Sequence, residues 1–162
     1  MDAFVAWLQT THASRTIVLQ PWVWPVCESL HFIGLAMLLG GAGFFDLRLL
    51  GCFRRISIDA ARAFLPFATG GLVINLLTGA VFLIGRPEQY VHNPAWWAKV
   101  ACLGVAVSNA LVFRWTIGTR IAVLGPDETL PPGAKYAGAV SLAAWLGVLY
   151  WGRMLPFIGD AF

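Results

Sequence analysis

Polar residues in this chain are gathered into short breaks between four long apolar runs. The runs extend from Trp22 to Leu50, Ala63 to Gly85, Ala95 to Ile117 and Lys135 to Phe157. A helix needs about 20 mainly apolar residues to cross the hydrocarbon core of a bilayer. Each run is long enough, and the first has length to spare for tilt. The breaks carry turn chemistry. Arg86 to Pro94 (RPEQYVHNP) is polar and flanked by prolines, and Leu124 to Gly133 (LGPDETLPPG) is rich in proline and glycine. Cys52 to Arg62 (CFRRISIDAAR) is basic and reads as a short interfacial helix. The pattern predicts an all-α integral membrane protein, an antiparallel four-helix bundle whose short loops make consecutive helices neighbours.

Residues 1–20 have a different pattern. Phe4, Trp7, Leu8, Thr11, Val18 and Leu19 fall near one helical face, with Gln9, His12, Ser14 and Arg15 mostly elsewhere. This predicts an amphipathic helix lying on the membrane surface, ahead of a four-span domain over residues 21–162. No basic segment precedes an apolar run at the N-terminus, so the first span is expected to serve as an uncleaved insertion signal.

Composition sharpens the membrane reading. Hydrophobic residues make up 59% of the chain and charged residues 12%, where a soluble domain carries about 25% charged residues. So few charges cannot cover a soluble globule of this size. The net charge of +3 comes from scattered residues without a basic stripe, which argues against nucleic acid as a partner. It bears on topology instead. Arg48, Arg54, Arg55, Arg62, Arg114, Arg120 and Lys135 fall at one end of the spans, and Arg15, Arg86, Lys99 and Arg153 at the other. The richer end is expected in the cytoplasm, which puts both termini outside, in the periplasm for a bacterial inner membrane. The Trp and Tyr residues of PWVWP, Trp96, Trp97, Tyr150 and Trp151 cluster at the expected outer boundary, as an aromatic belt does. Cys27, Cys52 and Cys102 form no CxxC pair and predict neither a disulfide framework nor a zinc site.

Ionisable groups inside spans are costly and usually face the bundle interior. Glu28 and His31 lie one turn apart on the first span. At about 1.5 Å per residue, His31 sits about 13 Å below the level of Trp22, and Asn75 on the second span reaches a similar depth. Lys99 on the third span falls near the depth of Glu28. A structural reading has His31 hydrogen-bonded to Asn75 and Glu28 paired with Lys99, fixing helix register. A functional reading has the neutral His31 imidazole as an iron ligand, with Glu28 or Asn75 orienting the ring. His12 and His92 lie too far out to supply a second axial ligand, which leaves Lys99 or an open position. A proton or ion relay is a third use of the same layer. At the other end, Asp46 is expected to clamp Arg114 or Arg120, and Gly34, Gly40, Gly41, Gly43, Gly70 and Gly71 to let helices approach closely.

Two segments carry a resemblance. WVWPVCESLHFIGLAMLLGGAGFFDLRLLG, with W-x-x-P, E-x-x-H and D-L-R-L-L-G, and NPAWWAKVACLGVAVSNALVF resemble the first and third spans of an uncharacterised family of small bacterial four-span inner-membrane proteins. That group has no assigned activity. More distantly, the chain is similar to HemJ-type protoporphyrinogen oxidase, which binds haem b, and to the CopD-like copper-resistance membrane domain. His31, Gly34 and Arg48 match the early H-x-x-G and following basic residue of the HemJ type, and Trp96 and Lys99 its third-span aromatic and lysine. The resemblance implies haem b held at His31 and Lys99. The chain departs from it at Asn109, near which the HemJ type has a further histidine. With three Met and three His, it also lacks the patches expected for copper handling.

Three functional classes follow. One is a b-type haem protein for electron transfer or porphyrin oxidation. The second is a non-catalytic scaffold or accessory subunit, as a homo-oligomer or in a larger membrane complex. The third is a small transporter or channel, which neither an internal repeat nor many pore-lining polar residues support.

Overall fold

In the computed structural model, residues 1–121 and 130–158 are described; residues 124–129 of the proline-rich break lie outside them. The elements are α1 (Asp2–Thr10), α2 (His12–Leu19), α3 (Val23–Leu49), α4 (Ile58–Arg62), α5 (Leu65–Gly85), α6 (Pro87–Val91), α7 (Pro94–Thr116), α8 (Gly118–Ile121) and α9 (Pro132–Met154), with a closing 3-10 turn at Leu155–Phe157. Among the described residues there is no strand.

The long helices follow the apolar runs, with ends set by local chemistry. Proline opens α7 and α9 in the first turn, where its missing N–H costs nothing. Pro132 starts α9 three residues before the expected Lys135. The chain tightens into the 3-10 turn around Pro156, so α9 ends at Met154. Gly51 takes up a left-handed φ of 96° just past α3, the usual way to stop a helix. The expected surface helix over residues 1–20 is two helices. Thr11 adopts an extended conformation between them, and its Oγ1 donates to Leu8 O at 2.6 Å and accepts from Ser14 N at 3.2 Å. A threonine that caps its successor necessarily interrupts its predecessor.

Among the described residues, three segments are long and apolar enough to cross a membrane: Val23–Leu49, Ile58–Gly85 and Pro94–Thr116. The fourth expected span, α9, has 23 residues but is less apolar, because glycine, tyrosine and tryptophan replace much of its aliphatic content. The outward faces are greasy. Phe32, Phe67, Leu77 and Trp115 are all more than half exposed. This is compatible with a multi-pass membrane protein whose lipid-facing surface is apolar.

Glycine sets the helix seams. A Cβ on Gly34 would lie 2.9 Å from Gly71 O, one on Gly71 would strike Gly34 O, and one on Gly41 would lie 2.6 Å from Phe64 O. The α3 and α5 backbones therefore touch, antiparallel. Gly138 brings α9 against Asp46 and Leu49 of α3, and Gly147 brings it against Cys102 of α7. Gly40 faces open space, so the expected packing role does not extend to it. Extensive packing joins α3 to α5, α3 to α9 and α7 to α9. It does not join α5 to α7, although they are consecutive long helices. The expected neighbour relation fails there because α6 separates their ends. The ring of four is left open on one side.

The end of the bundle that carries α6 is tied by Asn93. It is 4% exposed. Its Oδ1 accepts from Ala95 N at 2.9 Å, and its Nδ2 donates to Leu155 O at 3.0 Å and Ile158 O at 2.6 Å. Asn93→Ala removes the α7 cap and strands these groups together. The expected cost is about 2–3 kcal/mol, read as a lower thermal unfolding midpoint in detergent.

Candidate functional site

His31 projects from α3 toward both open-side helices. The inward rows of α3 repeat every seven residues, as Cys27, Gly34, Gly41 and as His31, Leu38, Phe45. His31 Nδ1 lies 2.7 Å from Thr78 Oγ1 on α5. Thr78 is 5% exposed, and its hydroxyl also lies 2.7 Å from Ile74 O, the carbonyl one turn back. A carbonyl can only accept, so the single hydroxyl hydrogen points at Ile74. With the hydroxyl hydrogen on Ile74, the Thr78 oxygen is free to accept from His31, an arrangement that goes with a neutral ring carrying its proton on Nδ1. The Nε2 lone pair is left facing Lys99 Nζ of α7 at 3.5 Å.

Lys99 reaches this point along α9. A Cβ on Gly152 would lie 3.5 Å from Nζ and 3.6 Å from Cε, so the lysine stem lies over a residue with no side chain. The Phe82 ring centre is 5.5 Å from that of His31 and in turn packs, tilted, 4.9 Å from Trp24, which lies under Arg86. A row of tilted rings thus leads from the imidazole toward the start of α3.

The layer expected from sequence is brought together only in part. His31 and Lys99 meet. Asn75 is not the partner of His31; its Nδ2 donates to Gly71 O within its own helix at 2.9 Å, and Thr78, one turn further along α5, takes the role. Glu28 does not pair with Lys99: it is exposed, and no ion pair joins the two. One turn above His31 the inward position is Cys27, which rotates Glu28 outward. Its charge is felt by Tyr90 of α6. Burial pushes the Tyr90 phenol up to about 12, with Arg86 opposing and Glu28 adding to the shift. His12 lies beside Thr16, and His92 lies 3.2 Å from Asp2, both apart from His31.

The Asp46 clamp is also corrected. Asp46 is 4% exposed and forms no ion pair with Arg114; the Arg120 side chain lies outside the described residues. Asp46 lines a cleft of about 690 Å³ between α3, α5, α7 and α9, and its Oδ2 has no hydrogen-bond partner. Arg48, on the same helix, donates instead to Ile56 O at 2.6 Å.

Among the described residues, no three His, Cys, Asp or Glu side chains gather as a metal site. A haem asks for less. The macrocycle supplies four nitrogens, and the protein adds one or two axial ligands. His31 and Lys99 are nitrogen donors facing each other from separate helices, and two such donors on one metal ion stand about 4 Å apart at about 2 Å per bond. His31 and Lys99 are the residues that would hold such a group, and their nitrogens lie 3.5 Å apart, closer than that spacing. No protein-family model matches the chain, and neither does any curated protein or solved structure.

Proposed function

We propose that this chain is a four-span inner-membrane protein that holds a b-type haem at His31 and works in electron transfer or porphyrin oxidation. The observation that carries this reading is the orientation of His31, whose Nδ1 lies 2.7 Å from the Thr78 hydroxyl while Nε2 faces Lys99; with the Thr78 hydrogen on Ile74 O, Nδ1 is the protonated nitrogen. Histidines that bind metal commonly donate the other ring N–H in this way, which fixes the tautomer and raises ligand basicity. Lys99, as the neutral amine, would be the second residue available to hold the group. α9 counts as the fourth span because it runs antiparallel beside two apolar helices of similar length. The arginine-rich end is cytoplasmic and both termini are outside.

The full chain, expressed with ample haem and purified in detergent, is expected to give a reduced-minus-oxidised haem spectrum. His31→Ala is expected to lose it while keeping helical content. A folded, colourless wild-type protein would overturn the haem reading. It would leave the scaffold reading, which has its own support: both His31 nitrogens already have neighbours within the protein, and the glycine seam between α3 and α5 is fully closed.

A further inference from the structure

The cleft beside Asp46 occupies the arginine-rich half of the molecule, away from His31. Its volume of about 690 Å³ lies within the range of small-molecule sites. Leu38, Leu65, Leu72 and Val107 make an aliphatic wall, and Phe45, Phe113 and Trp145 an aromatic one. Phe45 and Phe113 meet edge to face at 5.8 Å. The opening is the gap between α5 and α7, so the cleft faces the surroundings of the helices rather than their ends.

One group in this wall is out of balance. Asp46 is 96% shielded, yet Oδ2 has no partner. A buried carboxylate oxygen left alone is costly, and such groups are generally satisfied by something. Ser141 reaches the Asp46 carboxyl with its side chain but leaves Oδ2 without a partner, and Asn109 spends its Nδ2 on Ala137 O at 3.0 Å. The missing partner must bring a hydrogen-bond donor. An organic cation is disfavoured by Arg62 and Arg114 in the same lining, and an anion by Asp46 itself. A neutral hydroxyl meets both constraints, and the three aromatic side chains favour a flat ring behind it.

We propose that the cleft binds a neutral, lipid-soluble hydroxylated aromatic, its hydroxyl donating to Asp46 Oδ2, its ring against Phe45, Phe113 and Trp145, and its apolar tail leaving between α5 and α7. Arg62 closes the inner end of that gap by donating to Gly118 O across it. The site shares no residue with the His31–Lys99 pair and stands whether or not haem is bound there.

The test uses a matched pair of probes, a long-chain para-alkylphenol and its methyl ether, titrated calorimetrically into the full chain in detergent against protein-free micelles. The phenol is expected to bind at least about tenfold more tightly than the ether, since only it can donate to the carboxylate. In Asp46→Leu the two affinities become equal. That variant is expected to melt no lower than the wild type, because it removes an unsatisfied buried group. Ala110→Phe, on the open wall, weakens both probes together and keeps the test available if Asp46→Leu does not fold. Equal binding of phenol and ether by the wild type, a preference surviving in Asp46→Leu, or unchanged phenol binding in Ala110→Phe overturns the proposal.

Discussion

Gly71→Leu is expected to yield no stably folded protein. The Cβ added at Gly71 would collide with Gly34 O and sit 2.7 Å from Leu38 N. Both neighbours are helix backbone and cannot rotate aside as a side chain would. Overpacking a core costs about 1–3 kcal/mol where side chains can adjust; here α3 and α5 would have to separate, so the effect lies at or beyond the upper end. Size-exclusion chromatography and thermal unfolding in detergent measure it. Gly79 supplies the control, because it has nothing within 4 Å of its Cβ position. Gly79→Ala keeps the unfolding midpoint or raises it, since alanine is the better helix former by about 1 kcal/mol. Equal tolerance at both positions would show that the seam does not hold the two helices together.

Thr78→Val is expected to weaken haem binding by about 10–100-fold, the usual range for losing the group that orients a metal-binding histidine. Valine keeps the shape and removes the oxygen that accepts from Nδ1–H. The ring then has no reason to keep its proton on Nδ1 or its Nε2 toward Lys99. Thr78→Ser keeps the hydroxyl and is expected to retain binding close to wild type. Haem titration of the purified apoprotein, followed by absorbance, reads both variants. A purely structural Thr78 would give lower stability in Thr78→Val with unchanged affinity per folded molecule.

These two residues also mark how far sequence alone could reach. The apolar runs located α3, α5 and α7 within about two residues at each end, because twenty apolar residues in a row have few other uses. Depth was legible too: counting rise per residue put His31 and Asn75 at one level. Rotation about the helix axis was not. Asn75 and Thr78 lie on nearly the same face, and only the glycine contact of α3 on α5 decides which one meets the imidazole. Lys99 was matched with Glu28 because depth was counted at its backbone, whereas its long stem runs over Gly152 and brings Nζ to His31. The helix break at Thr11 had a local signal in the threonine itself, a residue type favoured at the N-cap. The cleft had none, since it follows from the extensive packing that α5 and α7 do not make. Asp46 stood out as a lone acid on an apolar face, but the choice between clamp and cleft wall depends on where α7 lies.

That missing contact has a consequence for how the protein would be supplied. On the four-span reading, a molecule enters sideways from the bilayer and never crosses bulk water. Occupancy would then track its mole fraction among the lipids, so a compound nearly insoluble in water could saturate the site. Apparent affinity measured in detergent would change with the amount of micelle present, even where the bound pose is the same.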